Sequence, residues 1–535
     1  MKPEVRIRDL SKPTTEVLAG VTDAKLPSLP RSFANSGEEP RFRTLSAEVQ
    51  KGCECGLDNT CALNLPKPKS LAEEAALVEA FLWGLRKLFD KENNWTFLQP
   101  LILTMENCVG CQTCADSCHV FQSSGRAETY RPTFRAEVLR RAYFKYVKGG
   151  GALSRWQHGD IELSWPLVAR LAELSYRCNL CRRCAQSCPM GADNALVTHE
   201  LRKLFSQEMG IAPKELHERG SMLQLKAGSS TGMTPKSVRD NVDFIDEDIS
   251  EKTGIEVHTP WDVEGADVLL LHNAGEILAW PENPGAFALI LNSAGIKWTM
   301  SSELCGYDAI NYGLWYDDAQ FARVALRHVE VARKLKVKKI VIGECGHAHK
   351  ALMVVADRLL QGEQNVPRES SMTLLRDIVR SGKLDLDPSR NDFPVTLHDP
   401  CNLVRLMGVV EPQREILRKI APRFREMTPH GVDNYCCGGG SGFAIMSSNN
   451  FGDWRAKVSG RKKLEQIVNA FADCLEADTP KYVCAPCSNC KGQIRDLFGY
   501  HDVWKRHRIG YGGLVELIVN AMRNVKPGFI DWEWH

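Results

Sequence analysis

The sequence predicts an α plus α/β chain: a helical, metal-binding segment followed by two copies of one α/β unit. Three observations predict it. Twenty cysteines are spread through 535 residues, and the opening MKPEVRIRDLSKP lacks the apolar stretch of a secretory leader. Eight of the cysteines form two runs of one rhythm, with helical sequence between them. From residue 266 onward, short apolar strands alternate with amphipathic helices, and cysteines recur after the strands.

Bulk properties narrow the function classes. A hydrophobic fraction of 43% supports several cores. A formal charge of +2 gives no electrostatic footprint for nucleic acid or for an anionic membrane. The basic pairs Arg140-Arg141, Arg182-Arg183 and Lys462-Lys463 read as solvated helix faces. No window approaches the roughly 20 apolar residues of a membrane-spanning helix; Ala266 to Leu271 and Phe287 to Leu291 have the length of buried strands. The expectation is a cytoplasmic chain without a span of its own. Thiols stay reduced there, so this many cysteines point to soft metal centres rather than disulfides.

Residues 1–95 read as an N-terminal extension. Its first 70 or so residues are irregular and contain Cys53, Cys55 and Cys61 in KGCECGLDNTC. These are either three ligands of a metal with a distant fourth, or free surface thiols. Residues 71–90, LAEEAALVEAFLWGLRKLFD, carry Leu and Phe at helical spacing and predict an amphipathic helix.

Residues 96–215 contain ENCVGCQTCADSC (106–118) and RCNLCRRCAQSCP (177–189). Each is C-x2-C-x2-C-x3-C, the rhythm of bacterial ferredoxins, in which the fourth cysteine ligates the other cluster. Zinc sites use paired C-x2-C instead. One cubane [4Fe–4S] cluster is therefore expected on Cys108, Cys111, Cys114 and Cys188, and a second on Cys178, Cys181, Cys184 and Cys118. Helical sequence at 136–147 and 165–175 flanks a GGG turn, which favours a helical ferredoxin-like domain over a compact small one. Arg177, Arg182 and Arg183 are expected to place positive charge beside the second cluster and raise its potential.

Residues 216–265 are polar, with an acidic DFIDEDISE, and read as a linker. Residues 266–392 and 393–535 read as the two α/β copies. Strands are expected in ADVLLLH, KKIVIGEC, FPVTLHDPC and KYVCAPC, and helices over 317–335 and RKKLEQIVNAFADCLEA, with Cys474 as a core thiol of the latter. Leu271-His272-Asn273-Ala274-Gly275 aligns with Leu397-His398-Asp399-Pro400-Cys401. Leu304-Cys305-Gly306 aligns with Cys436-Cys437-Gly438, and the stretch from Ile342 to Ala348 with that from Cys484 to Cys490. The second copy thus holds Cys401, the adjacent pair Cys436-Cys437, and Cys487-x2-Cys490. Neighbouring side chains diverge, so an adjacent pair suits two irons better than one zinc. Gly438-Gly439-Gly440 offers a wall without side chains against which a cluster or substrate is expected to lie.

HDPCNL, NYCCGGG and CAPCSNCKGQI resemble the cysteine-rich CCG domain of heterodisulfide reductase catalytic subunits. Two ferredoxin runs followed by two CCG-type α/β units resemble the D-type architecture. ELCGYDAINYGLWYDD, GECGHAHKAL and YGGLVELI are similar to its DsrK (HmeD) branch, the iron–sulfur subunit of the DsrMKJOP complex. The resemblance covers roughly residues 95–520. It implies one noncubane [4Fe–4S] cluster on Cys401, Cys436, Cys437, Cys487 and Cys490, with Cys484 a rival for Cys487. The first copy keeps only Cys305 and Cys345, which either line a substrate cavity or are inert buried thiols. His347 is either a general acid for released thiolates or a hydrogen-bonded strand-end residue; Glu344, Glu303 and His349 are weaker choices of the same kind. The resemblance further implies two-electron cleavage or formation of a disulfide or trisulfide on a DsrC-like sulfur carrier. Electrons would come through the cubanes. The implied partners are a DsrM-like membrane cytochrome b, the other DsrMKJOP subunits and the quinone pool, with the chain peripheral on the inner face of the membrane. A small-thiol heterodisulfide reductase and the electron-transfer subunit of a flavin-dependent hydroxy-acid oxidase are the alternatives.

Overall fold

A computed structural model of the chain describes residues 65–213, 216–305, 318–360, 362, 365–443 and 454–532. Cys53, Cys55 and Cys61 lie outside the described residues. The chain divides into two compact units: Met1–Glu218, Tyr312–Asp318 and Gly438–Lys463 form the first, and Arg219–Asn311, Ala319–Cys437 and Leu464–His535 the second. This differs from a simple succession of segments, because the stretch that follows Cys437 belongs to the first unit.

The first unit is helical. Helix Leu71–Leu88 begins at Ser70, whose side chain accepts the Glu73 N–H. Glu73 and Glu74 sit in its first turn and Arg86 and Lys87 in its last, matching the helix dipole at both ends. It buries Phe81, Leu82, Leu85 and Leu88, and the Phe81 and Phe205 rings lie 5.7 Å apart. Phe205 belongs to helix Asn194–Met209, which is buried on almost every side. Charge on that helix is paired internally: Lys203 lies 2.9 Å from Glu200, and Asn94 donates to the same carboxylate at 2.7 Å. The helix expected over 136–147 starts earlier, at Pro132, and widens at Tyr143–Val147.

The second unit holds two four-stranded parallel sheets. Strands β1 (Val268–Leu271), β2 (Trp298–Thr299), β3 (Lys339–Ile342) and β4 (Arg368–Ser370) form one. Strands β5 (Val395–Leu397), β6 (Phe424–Arg425), β7 (Lys481–Cys484) and β8 (Ile509–Gly512) form the other. The orders are β2-β1-β3-β4 and β6-β5-β7-β8, one topology used twice. The central strands are buried along their length and almost wholly apolar, as a sheet covered on both faces requires. One core cluster draws on both sheets, with Leu270, Phe287, Leu397, Tyr482 and Leu517 among its members.

Residues 216–265 are not a linker. Helix Pro235–Thr253 fills the middle of that stretch, capped by a reciprocal Thr234–Ser237 box. Val238, Val242, Ile245 and Ile249 face the shared core. Gly285, on helix Glu282–Ser293, lies so close that an added Cβ would sit 2.4 Å from Ile249 Cγ1. Ile249→Ala is expected to destabilise this unit by about 2–5 kcal/mol, read as a lowered denaturant midpoint. A true linker would show no shift. A second difference concerns Cys474. Helix Arg461–Ala470 ends before it, so this thiol lies in a turn, half-buried and 3.6 Å from Arg425 Nη1, rather than in the core.

Candidate iron–sulfur and cysteine-rich sites

In the first unit the two cysteine runs adopt one backbone design. Cys108 caps the C-terminus of helix Leu98–Asn107, and Cys178 follows the end of helix Trp165–Tyr176. Gly110 and Gln112 have φ of 68° and 66°; Leu180 and Arg182, at the matching places, have 49° and 62°. Left-handed residues two apart turn the chain tightly, which is how x2 spacing brings three sulfurs onto one face. Cys114 and Cys184 then lie on the short helical turns Thr113–Ser117 and Arg183–Gln186.

The runs interleave. The thiol of Cys114 is pushed up to about 12 by burial and by the charges of Cys108, Cys188 and Cys111. Burial raises Cys184 as well, with Asp193, Cys181, Cys178 and Cys118 around it. Cys118, also pushed up to about 12 by burial, feels Cys178 and Cys181. Each set therefore takes three cysteines from one run and the fourth from the other. Buried thiols packed against further thiols, as Cys114 and Cys184 are, suit a polynuclear cation that displaces their protons, and an all-sulfur donor set suits iron–sulfur chemistry.

Polar groups beyond the cysteines themselves surround these loops. Asn194 Nδ2 lies 3.6 Å from Cys114 Sγ, and the Leu180 N–H points at Cys178 Sγ from 3.4 Å. His119 Nδ1 is 3.9 Å from Cys181 Sγ, while its Nε2 meets Asn179 Oδ1 at 2.8 Å. Buried Arg202 donates to the Cys178 carbonyl at 2.6 Å and the Ser175 carbonyl at 2.9 Å. The three arginines expected to raise the second cluster's potential are otherwise engaged. Arg177 pairs with Glu173 at 2.6 Å, Arg182 pairs with Asp193 at 2.7 Å, and Arg183 donates to the Ser117 carbonyl at 2.6 Å. Two of the three charges are thus neutralised locally.

The glycines after Cys437 also serve a different end. An added Cβ at Gly438 would lie 2.6 Å from the Gly460 nitrogen, and one at Gly440 would lie 2.7 Å from the Asn179 carbonyl oxygen. They permit backbone-to-backbone packing within the first unit, where Asn179 Nδ2 donates to the Gly438 carbonyl at 2.8 Å. They do not form an open wall.

In the second unit, four of the five CCG cysteines meet. Cys437 Sγ and Cys490 Sγ are 3.5 Å apart. Hydrogen bonds from Cys436, Cys490 and His398 hold the Cys437 thiol well below its ordinary range, against the effect of burial. The Cys487 thiol is lowered by contact with Cys490 and by the Gly346 N–H, which lies 3.3 Å from its sulfur. Cys490, hydrogen-bonded to both, is raised and keeps the proton. Cys401, half-buried, opens the turn Asn402–Leu406 after β5. Cys484 is the last residue of β7; burial raises its thiol, and Glu344, Glu516 and Lys491 are the charges around it. Geometry therefore favours Cys487 over Cys484 as the partner of Cys490. Asp399 is taken by Arg414 through two bonds of 2.7 Å and by the Gly431 N–H at 2.6 Å, which fixes the loop carrying Cys401.

The first copy departs from this pattern. Cys345 lies beside the second copy's loop: Asn489 Nδ2 is 3.7 Å from its sulfur. Cys305 packs elsewhere, with its sulfur 3.6 Å from the Ala227 carbonyl. The two are not brought together as facing cavity walls by any of these contacts. A pocket lined by His272, Ser301, Leu304, His328 and Ala348 occupies the first copy, with apolar Leu304 and Ala348 where the second copy has Cys436 and Cys490.

His347 is buried within electrostatic reach of Cys437, and burial lowers it to about 4, so its imidazole is neutral at physiological pH. His349 is held by the Cys345 carbonyl at 2.7 Å and Ser370 Oγ at 2.9 Å. Glu303 pairs with Lys334 at the surface. Glu344 is structural: its carboxylate accepts the Leu514 and Val515 N–H groups at 2.8 and 3.2 Å and the Asn283 amide at 2.8 Å. Burial nonetheless lifts it from 4.5 to about 7. A folded value above the unfolded one means the folded state holds the proton longer. Stability is then full below about 4.5 and declines as pH rises to about 7. Glu344→Gln is expected to flatten that decline in denaturation curves recorded across pH 5–8; an unchanged slope would count against it.

Two families match the chain. A 4Fe-4S dicluster domain covers residues 104–192, and the CCG cysteine-rich domain covers residues 395–495. Among characterised relatives, the Hdr-like menaquinol oxidoreductase iron-sulfur subunit 2 of Archaeoglobus fulgidus is 26% identical over 490 residues, 83% of each chain. The Hdr-like menaquinol oxidoreductase iron-sulfur subunit of Archaeoglobus profundus is 27% identical over 468 residues, 78% of this chain and 79% of its own. The D-type polypeptide of the dihydromethanophenazine:CoB–CoM heterodisulfide reductase of Methanosarcina barkeri is 24% identical over 427 residues, 79% of this chain and 95% of its own. Among the described residues no helix is long and apolar enough to cross a membrane. With two interleaved four-cysteine sets in the dicluster region and a cysteine-rich domain behind them, the chain is a heterodisulfide reductase-like iron–sulfur oxidoreductase subunit.

Proposed function

We propose that the chain makes or breaks a sulfur–sulfur bond by two electrons on a DsrC-like carrier protein, as the DsrK branch of the family would. Its partners would be a DsrM-like cytochrome b and the other DsrMKJOP subunits at the inner face of the cytoplasmic membrane. The observation that supports this reading best is the packing of Cys436, Cys437, Cys487 and Cys490 at the carboxyl end of a parallel sheet, where such sheets present ligands. The dicluster would supply single electrons, and a noncubane [4Fe–4S] cluster on these cysteines and Cys401 would supply iron for a substrate sulfur.

The chain's own residues prepare that chemistry. The Cys437 and Cys487 thiols are held below their ordinary range and are buried away from water. Cys401 is the one cysteine of the five that is not fully buried, so it stands at the side from which a substrate arm arrives. His347, neutral and within electrostatic reach of Cys437, would hydrogen-bond a released thiolate rather than protonate it, so the proton must come from elsewhere. A quinone-linked complex is in keeping with the menaquinol oxidoreductase subunits it resembles.

A small-thiol heterodisulfide is the second reading, favoured by the similarity to the methanogen heterodisulfide reductase. EPR of the oxidised, anaerobically purified chain decides between them. Adding the carrier protein is expected to perturb the noncubane signal and leave the cubanes unchanged. A response only to a small heterodisulfide would replace the first reading with the second. In cell extracts the chain is expected to fractionate with membranes alongside a cytochrome; recovery only as a free protein would remove the complex.

A further inference from the structure

We propose that His398 is a hydrogen-bond donor to the sulfur ligands of the cysteine-rich site, setting how readily that site is reduced. The inference rests on the reading that these cysteines hold a cluster.

A ring nitrogen of His398, Cys437 Sγ and Cys490 Sγ all lie within 4.8 Å of one another, and all three residues are buried. No other group of three such side chains converges so closely among the described residues. The residue is held through its backbone and through its ring. The His398 backbone N–H donates to the Cys484 carbonyl at 2.8 Å, fixing the end of β5. Asn434 Nδ2 lies 3.5 Å from His398 Nδ1 and is itself anchored to the Asp399 carbonyl at 3.1 Å. Asp399 is occupied by Arg414, so the neighbouring carboxylate does not compete for the imidazole.

The duplicated half supplies the contrast. His272 occupies the corresponding place after β1, but there Nδ1 lies 3.0 Å from the Glu276 carboxylate. The position matching Glu276 is Asn402. The copy with only two of the five cysteines gives the histidine a carboxylate, whereas the copy with all five turns it toward sulfur. A nitrogen that hydrogen-bonds a sulfur carries the proton and is not itself a ligand to iron. Such a bond stabilises the more negative, reduced state and raises the potential.

The test uses the full chain, purified anaerobically, with His398→Phe and His398→Gln. The phenylalanine variant is expected to keep the iron content and cubane signals of the parent. Its noncubane cluster should titrate at a more negative potential, with the reduced-to-oxidised ratio at a fixed potential changed about tenfold, or about 59 mV for one electron. Glutamine, which restores an N–H, is expected to recover part of the shift. Loss of about four irons with intact cubanes in either variant would make His398 a ligand and overturn the proposal. An unmoved potential in the phenylalanine variant would reduce it to packing. Absence of a third cluster in the parent chain is a different result: it would sink the cluster reading itself.

Discussion

Cys437→Ala is expected to remove about four of roughly twelve irons while both cubanes remain reducible by dithionite. Sulfur–sulfur turnover should fall by more than about a hundredfold, beyond what losing a mere outer partner of a metal site costs. The reason lies in the position of this sulfur. It touches Cys490 at 3.5 Å, is hydrogen-bonded by Cys436 and His398, and is held well below the ordinary thiol range. Removing it leaves Cys490 without the partner that holds it and strips the site of an anionic donor. Cys484→Ala is the matching control. That thiol is kept protonated by burial, so its loss should leave iron and turnover close to the parent's. A Cys437→Ala chain with full turnover would place the sulfur chemistry elsewhere and leave the protein as an electron relay.

The sequence carried the ferredoxin runs and the CCG cysteines because their spacing is local: each loop's geometry is set by a handful of consecutive residues. The parallel α/β texture was legible for a similar reason, since VLLL, KIVI and KYVC are continuous buried runs. Helix Pro235–Thr253 was hidden by composition. Most of its acidic residues crowd the outer face, Asp246 alone turning inward to Thr259, and the apolar inner stripe is only Val238, Val242, Ile245 and Ile249, at spacings of four, three and four. The Gly438-Gly439-Gly440 segment misled because an absence of side chains says that something approaches closely, not what does; here it is the backbone of Asn179, Ser459 and Gly460. Compensation of Arg177 and Arg182 was equally out of reach, because Glu173 and Asp193 flank the motif rather than belong to it. His398 sat in plain view in HDPC, but nothing in a linear motif says that a ring turns toward a sulfur 39 residues further on.

The interleaving of the two cubane sets has a test that needs no spectral assignment. Alanine at Cys118 alone, or at Cys108 alone, is expected to cost one cluster and leave roughly eight of twelve irons. The doubles separate the two pairings. If Cys118 belongs with Cys178, Cys181 and Cys184, then Cys118→Ala with Cys178→Ala strikes the same cluster twice and still leaves roughly eight irons. Cys118→Ala with Cys108→Ala strikes both clusters and leaves about four. A sequential arrangement, with each run wrapping its own cluster, reverses the two results. The structure argues for the first outcome on charge: Cys118 feels Cys178 and Cys181, whereas Cys108 and Cys114 both feel Cys188. The cause is steric. The third cysteine of each run lies on a short helical turn, Thr113–Ser117 or Arg183–Gln186, and the fourth follows the end of that turn, off the loop that holds the first three. Asn194 Nδ2 lies 3.6 Å from Cys114 Sγ and His119 Nδ1 3.9 Å from Cys181 Sγ, so loss of either cluster should also free a polar neighbour of its sulfur.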